Sequence, residues 1–171
     1  RQSLFFSATM PPRIKTIVHE FLKNPFSIDI GSGISTKNVE QDVIRVLDRR
    51  HKIVELEKLL SAKDATRCLI FAETKKEVEA LYEDLRAKGL QVAYLHGDKR
   101  QRERERTLRS FKEGEVSILI ATDVAARGID VKDVSHVINY TVPQTHDDYV
   151  HRIGRTGRGG KIGKAFTFIS V

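Results

Sequence analysis

Over residues 39–171, short apolar blocks alternate with longer stretches in which apolar residues recur at helical spacing. Residues 39–47 mix apolar Val39, Val43, Ile44, Val46 and Leu47 with polar positions and read as a half-buried strand. Residues 52–60 put Ile53, Leu56, Leu59 and Leu60 on one side of a helix. Cys68-Leu69-Ile70-Phe71 is a continuous apolar run of strand length, which suits a strand buried on both faces. Residues 75–88 carry Val78, Leu81, Tyr82 and Leu85 at helical spacing, and Gly89 is a natural stop. The alternation continues with a strand over 92–95 and a charged helix over 100–112, whose clearly apolar residues are Leu108 and Phe111. Further strands are predicted over 118–120, 134–140 and 165–169. Buried strands separated by amphipathic helices predict an α/β fold, a mostly parallel sheet flanked by helices.

Residues 1–38 follow a different pattern. Leu4-Phe5-Phe6 reads as a strand. Pro11-Pro12 suits the start of a helix running to Leu22, with Ile14, Ile17, Val18, Phe21 and Leu22 on one side. Asn24-Pro25 ends it, and residues 26–30 read as a short strand. Residues 31–38, Gly-Ser-Gly-Ile-Ser-Thr-Lys-Asn, are small and polar and read as a linker and hinge. The chain opens inside an apolar stretch and closes at a strand edge, so we expect a piece of a longer protein. An exposed apolar edge invites pairing. Residues 1–30 are therefore expected to pack back on the rest of the chain or to self-associate with another copy.

Charge sharpens the picture. The formal net charge is +7. Residues 99–112 hold seven Lys/Arg against two Glu, and residues 151–164 hold five Lys/Arg and no carboxylate. Each segment is thus about +5, and the rest of the chain sums to roughly −3. A positive field focused in two segments points to a polyanionic partner, nucleic acid first. No apolar run approaches a membrane span, and no signal-peptide pattern opens the chain. The single cysteine, Cys68, lies in an apolar run and has no internal disulfide partner. These features lead us to expect an intracellular, cytoplasmic protein with no membrane partner.

The most specific chemistry is the run His151-Arg152-Ile153-Gly154-Arg155-Thr156-Gly157-Arg158. Arginine forks set among glycines let guanidinium and backbone approach an anion closely, which suits phosphate; a helix face does not need that pattern. Other polar groups follow predicted strands: Thr74 after Phe71, His96-Gly97-Asp98 after Leu95, and the segment 121–130 after Ile120. In a parallel sheet that edge is where ligands bind. Each group also has a plain structural reading. Thr74 can cap the next helix, His96-Gly97-Asp98 can be a turn, Thr122-Asp123 can cap a short helix, and Arg127 can pair with Asp130. A cysteine nucleophile does not fit Cys68, and no Cys/His spacing suits zinc, so no metal site is expected in this chain. No G-x-x-x-x-G-K-S/T loop occurs anywhere, so a nucleotide's phosphate cradle would have to lie elsewhere.

These residues resemble the C-terminal RecA-like half of a DEAD-box ATP-dependent RNA helicase. The blocks run in that family's order: Ser7-Ala8-Thr9, then Ile70-Phe71 with Thr74, then His96-Gly97-Asp98 with Gln101 and Arg104, then ATDVAARGID at 121–130, then HRIGRTGR at 151–158. The last two blocks are highly specific; the first three are weak alone. The adenine-reading glutamine segment, phosphate loop and DEAD tetrad are missing. The resemblance implies a fold and a division of labour. Residues 1–30 would be the tail of a first RecA-like domain, 31–38 the hinge, and 39–171 the second domain. ATP and Mg2+ would sit between the two domains, with phosphate loop and metal ligands supplied by the first. Arg155 and Arg158 would be arginine fingers, while Gly128 and Asp130 would contact ATP. Thr74, Gly97, Arg104, Thr122 and Arg127 would contact RNA with little sequence preference. Ser7, Thr9 and His151 would couple the domains. The chain alone would be inactive. A binding module without ATPase, or a DNA translocase of the same superfamily, are the alternatives.

Overall fold

The structure is a computed structural model that describes residues 2–7, 10, 12–28, 37–126, 131 and 133–171. The chain divides into two units, Arg1–Ile34 and Ser35–Val171. In the first unit, α1 spans Pro12–Phe21, beginning at a proline whose missing N–H no helical carbonyl needs. The expected strand at Leu4-Phe5-Phe6 is not present, and Phe26, Ser27 and Ile28 are not a strand either. A strand exists only as part of a ladder, and among the described residues no ladder includes these segments. Leu4, Phe6, Phe21, Phe26 and Ile28 are exposed, Phe6 at 87%. Most of the expected hinge, residues 31–36, lies outside the described residues, as do residues 29 and 30.

The second unit contains strands β1 (Val39–Val46), β2 (Cys68–Phe71), β3 (Val92–Leu95), β4 (Ile118–Ala121), β5 (His136–Asn139) and β6 (Gly163–Ser170). Between them run α2 (Arg49–Leu60), α3 (Lys75–Ala87), α4 (Gln101–Glu113), α5 (Asp123–Ala126) and α6 (His146–Ile153). The sheet order is β1-β6-β5-β2-β4-β3, and every ladder is parallel. The α/β architecture expected from the alternating pattern is thus present.

The buried strands explain their own composition. Successive side chains leave opposite faces, so each apolar run feeds two cores. Cys68, Ile70, Ile120 and Ile138 join Leu56, Val78, Leu81, Leu85 and Phe168 on one face. Leu69, Phe71, Leu119 and Val137 join Phe111 and Ala125 on the other. Each fully buried Leu, Ile or Phe contributes about 1.5–3 kcal/mol against exposure. Burial also pushes the Cys68 thiol up to about 12, so it is an inert core group.

Local chemistry sets the element ends. Asp48 accepts the His51 N–H at 2.7 Å, so α2 starts at Arg49, before the apolar periodicity begins. Gly89 and Gly114 follow α3 and α4 with positive φ, the expected stop geometry. β5 is shorter than predicted, because Val134 bridges Thr156 instead of joining the ladder to β2. The largest difference is α6, which the apolar pattern does not predict. Thr145 caps it by accepting the Asp148 N–H at 3.0 Å. The run at 151–158 therefore opens as the last turn of a helix, contrary to the sequence reading. Arg152 occupies a buried position of α6 where an apolar residue would have revealed the helical period.

Candidate functional site

The crossovers place the site. From β2 the chain crosses to β3 on one side of the sheet; from β5 it crosses to β6 on the other. β2 and β5 are neighbours, so their carboxyl ends open a crevice where a doubly wound sheet binds ligands. Phe71 ends β2 and Asn139 ends β5.

Arg152 fills the base of that crevice. Its Nε donates to Asp123 Oδ1 and its Nη2 to Asp123 Oδ2, each at 2.7 Å. Nη1 donates to the Thr141 carbonyl at 2.6 Å and to Asn139 Oδ1 at 3.2 Å. The guanidinium also lies 5.1 Å from the Phe71 ring centroid. Asn139 in turn donates from Nδ2 to Thr167 Oγ1 on β6 at 3.0 Å. Thr141 donates from its hydroxyl to Glu77 Oε2 on α3 at 2.7 Å. One network thus ties β5, β6, α3, α5 and α6 together. A buried guanidinium is tolerable only because each face of its fork is satisfied. Asp123, read from sequence as a possible cap, spends its carboxylate on Arg152 instead. No separate role was expected for Arg152 within the 151–158 run, although it is the first Lys or Arg after the predicted 134–140 strand.

The arginines that follow are set by glycines. Arg155 donates its backbone N–H to the Arg152 carbonyl at 3.1 Å, and its side chain is half-buried. Arg155 lines a small cavity of about 40 Å³ with Phe71, Asp123, Ala126, Asp148, His151 and Arg152. Arg158 is exposed, and its Nε donates to the Gly154 carbonyl at 2.8 Å. Thr156 is buried, with its hydroxyl donating to the Val134 carbonyl. Gly157 has φ +68°, and a Cβ there would meet Val39 Cγ2 at 2.7 Å and the Asn38 carbonyl at 2.9 Å. At Gly163 a Cβ would collide with Thr156 Oγ1 and lie 2.5 Å from the Gly157 nitrogen. The glycines therefore serve the packing of the turn, and the turn presents the arginines.

The residues expected to meet RNA come from three adjacent strand ends, β2, β4 and β3. Thr74 follows β2 and is exposed, yet its hydroxyl also caps α3 by accepting the Glu77 N–H at 3.1 Å. Gly97 follows β3 in a turn and is exposed. Thr122 follows β4 and donates its N–H to the Leu95 carbonyl at 3.3 Å. Arg104 reaches from α4 to the Ala125 carbonyl at 3.3 Å. Asp98 pairs with Lys75 at 2.5 Å, tying the turn after β3 to the start of α3; that ion pair holds the Asp98 carboxyl below its usual range. His151 is half-buried and makes no side-chain hydrogen bond or ion pair among the described residues. Ser7 is exposed in the first unit. Thr9, Arg127, Gly128 and Asp130 lie outside the described residues. Among the described residues no group of three or more His, Cys, Asp or Glu could hold a metal ion, and no helix is long and apolar enough to cross a membrane.

A six-stranded, all-parallel sheet flanked by helices is the architecture of a RecA-like helicase domain. The helicase conserved C-terminal domain profile matches residues 51–160, and the chain belongs to that family, in the form carried by DEAD-box helicases. It is 44% identical over its whole length to DEAD-box ATP-dependent RNA helicase 20 of Arabidopsis thaliana, of which it covers 34%. It is also 44% identical to DEAD-box ATP-dependent RNA helicase CshA of Bacillus subtilis, with 99% of this chain and 34% of that protein covered. Among solved structures it resembles S. cerevisiae Dbp5 bound to RNA and ADP BeF3. That match has TM-score 0.80 and 32% identity, covering 97% of this chain and 44% of the other. The chain spans about a third of the length of the curated relatives it matches.

Proposed function

We propose that this chain is the second RecA-like half of an RNA-dependent ATPase that separates short RNA duplexes. A first RecA-like domain would complete the nucleotide cleft. The observation that carries the reading is the anchoring of Arg152 on Asp123, which brings the segment after β4 and the arginine turn after α6 to one crevice. In this reading Arg155 and Arg158 neutralise charge as a phosphoryl group is transferred. That charge spreads over the transferred oxygens, where positioned guanidinium groups contribute roughly 10³–10⁵ in rate. Gly128 and Asp130 would take the ribose side of ATP.

Magnesium would neutralise charge on the nucleotide phosphates. The described residues do not fit a metal site, because Asp123, which shares a cavity with Arg155, has both oxygens engaged by Arg152. Metal ligands and phosphate loop are therefore assigned to the first domain, and residues 1–171 alone are expected to be inactive.

RNA would cross the strand ends carrying Thr74, Gly97 and Thr122, with Arg104 and Arg127 supplying charge. These are small or basic groups with no stacking platform among them, which suits backbone recognition with little sequence preference. Gly97 supports this directly. Its φ is not positive, and a Cβ there would meet nothing within 4 Å of its own chain, so the fold does not require glycine. Ser7, Thr9 and His151 are assigned to coupling between the two domains.

The test is RNA-stimulated ATP turnover by the full-length protein with Arg155→Ala or Arg158→Ala. Turnover should fall by roughly three to five orders of magnitude with RNA affinity largely kept. Loss of RNA binding with turnover per bound complex intact would favour a simple binding module. Equal stimulation by DNA of the same sequence would favour a DNA translocase.

A further inference from the structure

The outer face of α4 carries three arginines that the proposed site does not use. Leu108 and Phe111 face the core, and Arg104 turns to the Ala125 carbonyl. Arg102, Arg106 and Arg109 follow at spacings of four and three residues, so they form one stripe on the side away from that core. All three are exposed, and none makes a hydrogen bond or ion pair among the described residues.

An ordinary solvated helix face would neutralise such a stripe. Here the nearby glutamates are committed elsewhere. Glu103 accepts the Arg100 N–H at 3.0 Å, and Glu105 accepts from Gln101 Nε2 at 2.9 Å. Neither Glu105 nor Glu113, each four residues from Arg109, bridges it. Arg102 and Arg106 are like charges four apart, an arrangement that opposes helix formation unless an anion offsets it.

We infer that this stripe is a second contact surface for RNA phosphates, extending the path proposed over Thr74, Gly97 and Thr122. The inference rests on that proposed path. α4 begins directly after the turn that holds Gly97, so the stripe leads away from the same edge. At 1.5 Å per residue the three arginines span about 10 Å, enough for successive phosphates of a strand. The stripe holds no aromatic or aliphatic side chain that could anchor a protein partner, and none on which bases could stack. Charge without an apolar anchor matches a phosphate backbone.

The experiment uses the full-length protein with Arg102→Gln, Arg106→Gln and Arg109→Gln combined; glutamine keeps helix propensity and removes charge. Two unstructured RNAs are compared, one just filling the strand-end site and one extending well beyond it. Binding of the short RNA should stay within about twofold, because the stripe adds phosphate contacts only beyond the site. Binding of the long RNA should weaken roughly tenfold at low salt, and its log affinity against log salt should flatten by about 2 units for three phosphates. An unchanged slope on the long RNA, or an equal loss on both RNAs, overturns the inference. So does a variant that binds long RNA normally but loses binding to polyglutamate, because the stripe would then serve an acidic protein. Arg104→Ala, measured alongside on the short RNA, tests the underlying path separately: an unchanged affinity there rejects the path, whatever the stripe does.

Discussion

Asp123 at the start of α5 and Arg152 in the last turn of α6 form a two-pronged ion pair, with both bonds at 2.7 Å. Arg152 is 3% exposed by side chain and Asp123 33%. The pair joins the two most specific sequence blocks of the chain. Parallel N–H···O bonds fix orientation as well as distance, so the end of α6 and the turn after it cannot rotate independently of α5.

Replacing Arg152 should cost more than a surface charge would. Arg152→Ala leaves Asn139 Oδ1 and the Thr141 carbonyl without their donor and removes the partner of Asp123; we expect about 3–5 kcal/mol. Arg152→Lys keeps the charge but not the fork, and should cost about 2 kcal/mol. Urea unfolding of the wild type and both variants measures the order, and equal stability of the lysine variant would contradict the role given to the fork.

Three glycines near the arginine turn should rank by their surroundings. Gly159 has φ +64° but open space, so Gly159→Ala should cost about 1 kcal/mol of backbone strain. Gly157→Ala adds contact with Val39 and Asn38 to a positive φ, and Gly163→Ala collides with Thr156. Each should cost about 2–3 kcal/mol or displace the turn. Thermal melting gives the ranking, and a Gly159 variant as unstable as the other two would refute it.

Gly97 should behave in the opposite way. Gly97→Ala is expected to change stability by no more than about 0.5 kcal/mol, because nothing in the domain meets the added methyl. In the full-length protein it should weaken RNA binding several-fold. A variant that binds RNA normally would remove Gly97 from the RNA path; one that unfolds would show that the fold itself needs the glycine.

His136 should make the domain sensitive to mild acid. Its ring stacks on Phe166, with Ser135 Oγ at 3.0 Å and Asp64 at 4.0 Å. Burial lowers its pKa below the ordinary 6.5; Asp64 partly opposes this and Lys164 adds to it. The neutral ring is thus favoured on folding, and the unfolded chain binds the proton more readily. Stability from this source is fully present above pH 6.5 and falls as pH drops from there toward the folded pKa. Denaturant midpoints at pH 7.5, 6.5 and 5.5 should show the decline, and His136→Phe should flatten it. An unchanged slope in that variant would assign the acid sensitivity to other groups.

Much of the fold is legible from pattern alone. β2 and β3 coincide with their predicted spans, because short apolar runs between helical stretches leave no other reading. The α2 start depended on Asp48, a cap whose bond to His51 no hydrophobic period could register. α6 was hidden because Arg152 takes one of its two buried positions, leaving in Tyr149 and Ile153 too few apolar residues to reveal a helical period. Leu4-Phe5-Phe6 and the described residues Phe26, Ser27 and Ile28 form no strand for a related reason: apolar composition does not supply the neighbour a ladder requires. Of the site, the arginine run and the groups after β2, β3 and β4 were visible as residue types at strand ends. Arg127, Gly128 and Asp130 rest on sequence throughout.

Local order along the chain was enough to determine the six strands of the second unit, the helices α2 to α4 between them, the two basic segments and the family motifs, because these depend on neighbours a few residues apart. Tertiary structure alone decided which arginine is buried and which are presented. Arg152, Arg155 and Arg158 are chemically identical side chains within seven residues. Arg152 meets Asp123, Asn139 and Thr141 only because the β2–β5 crevice brings together residues distant in sequence, and a buried charge persists only where such partners converge.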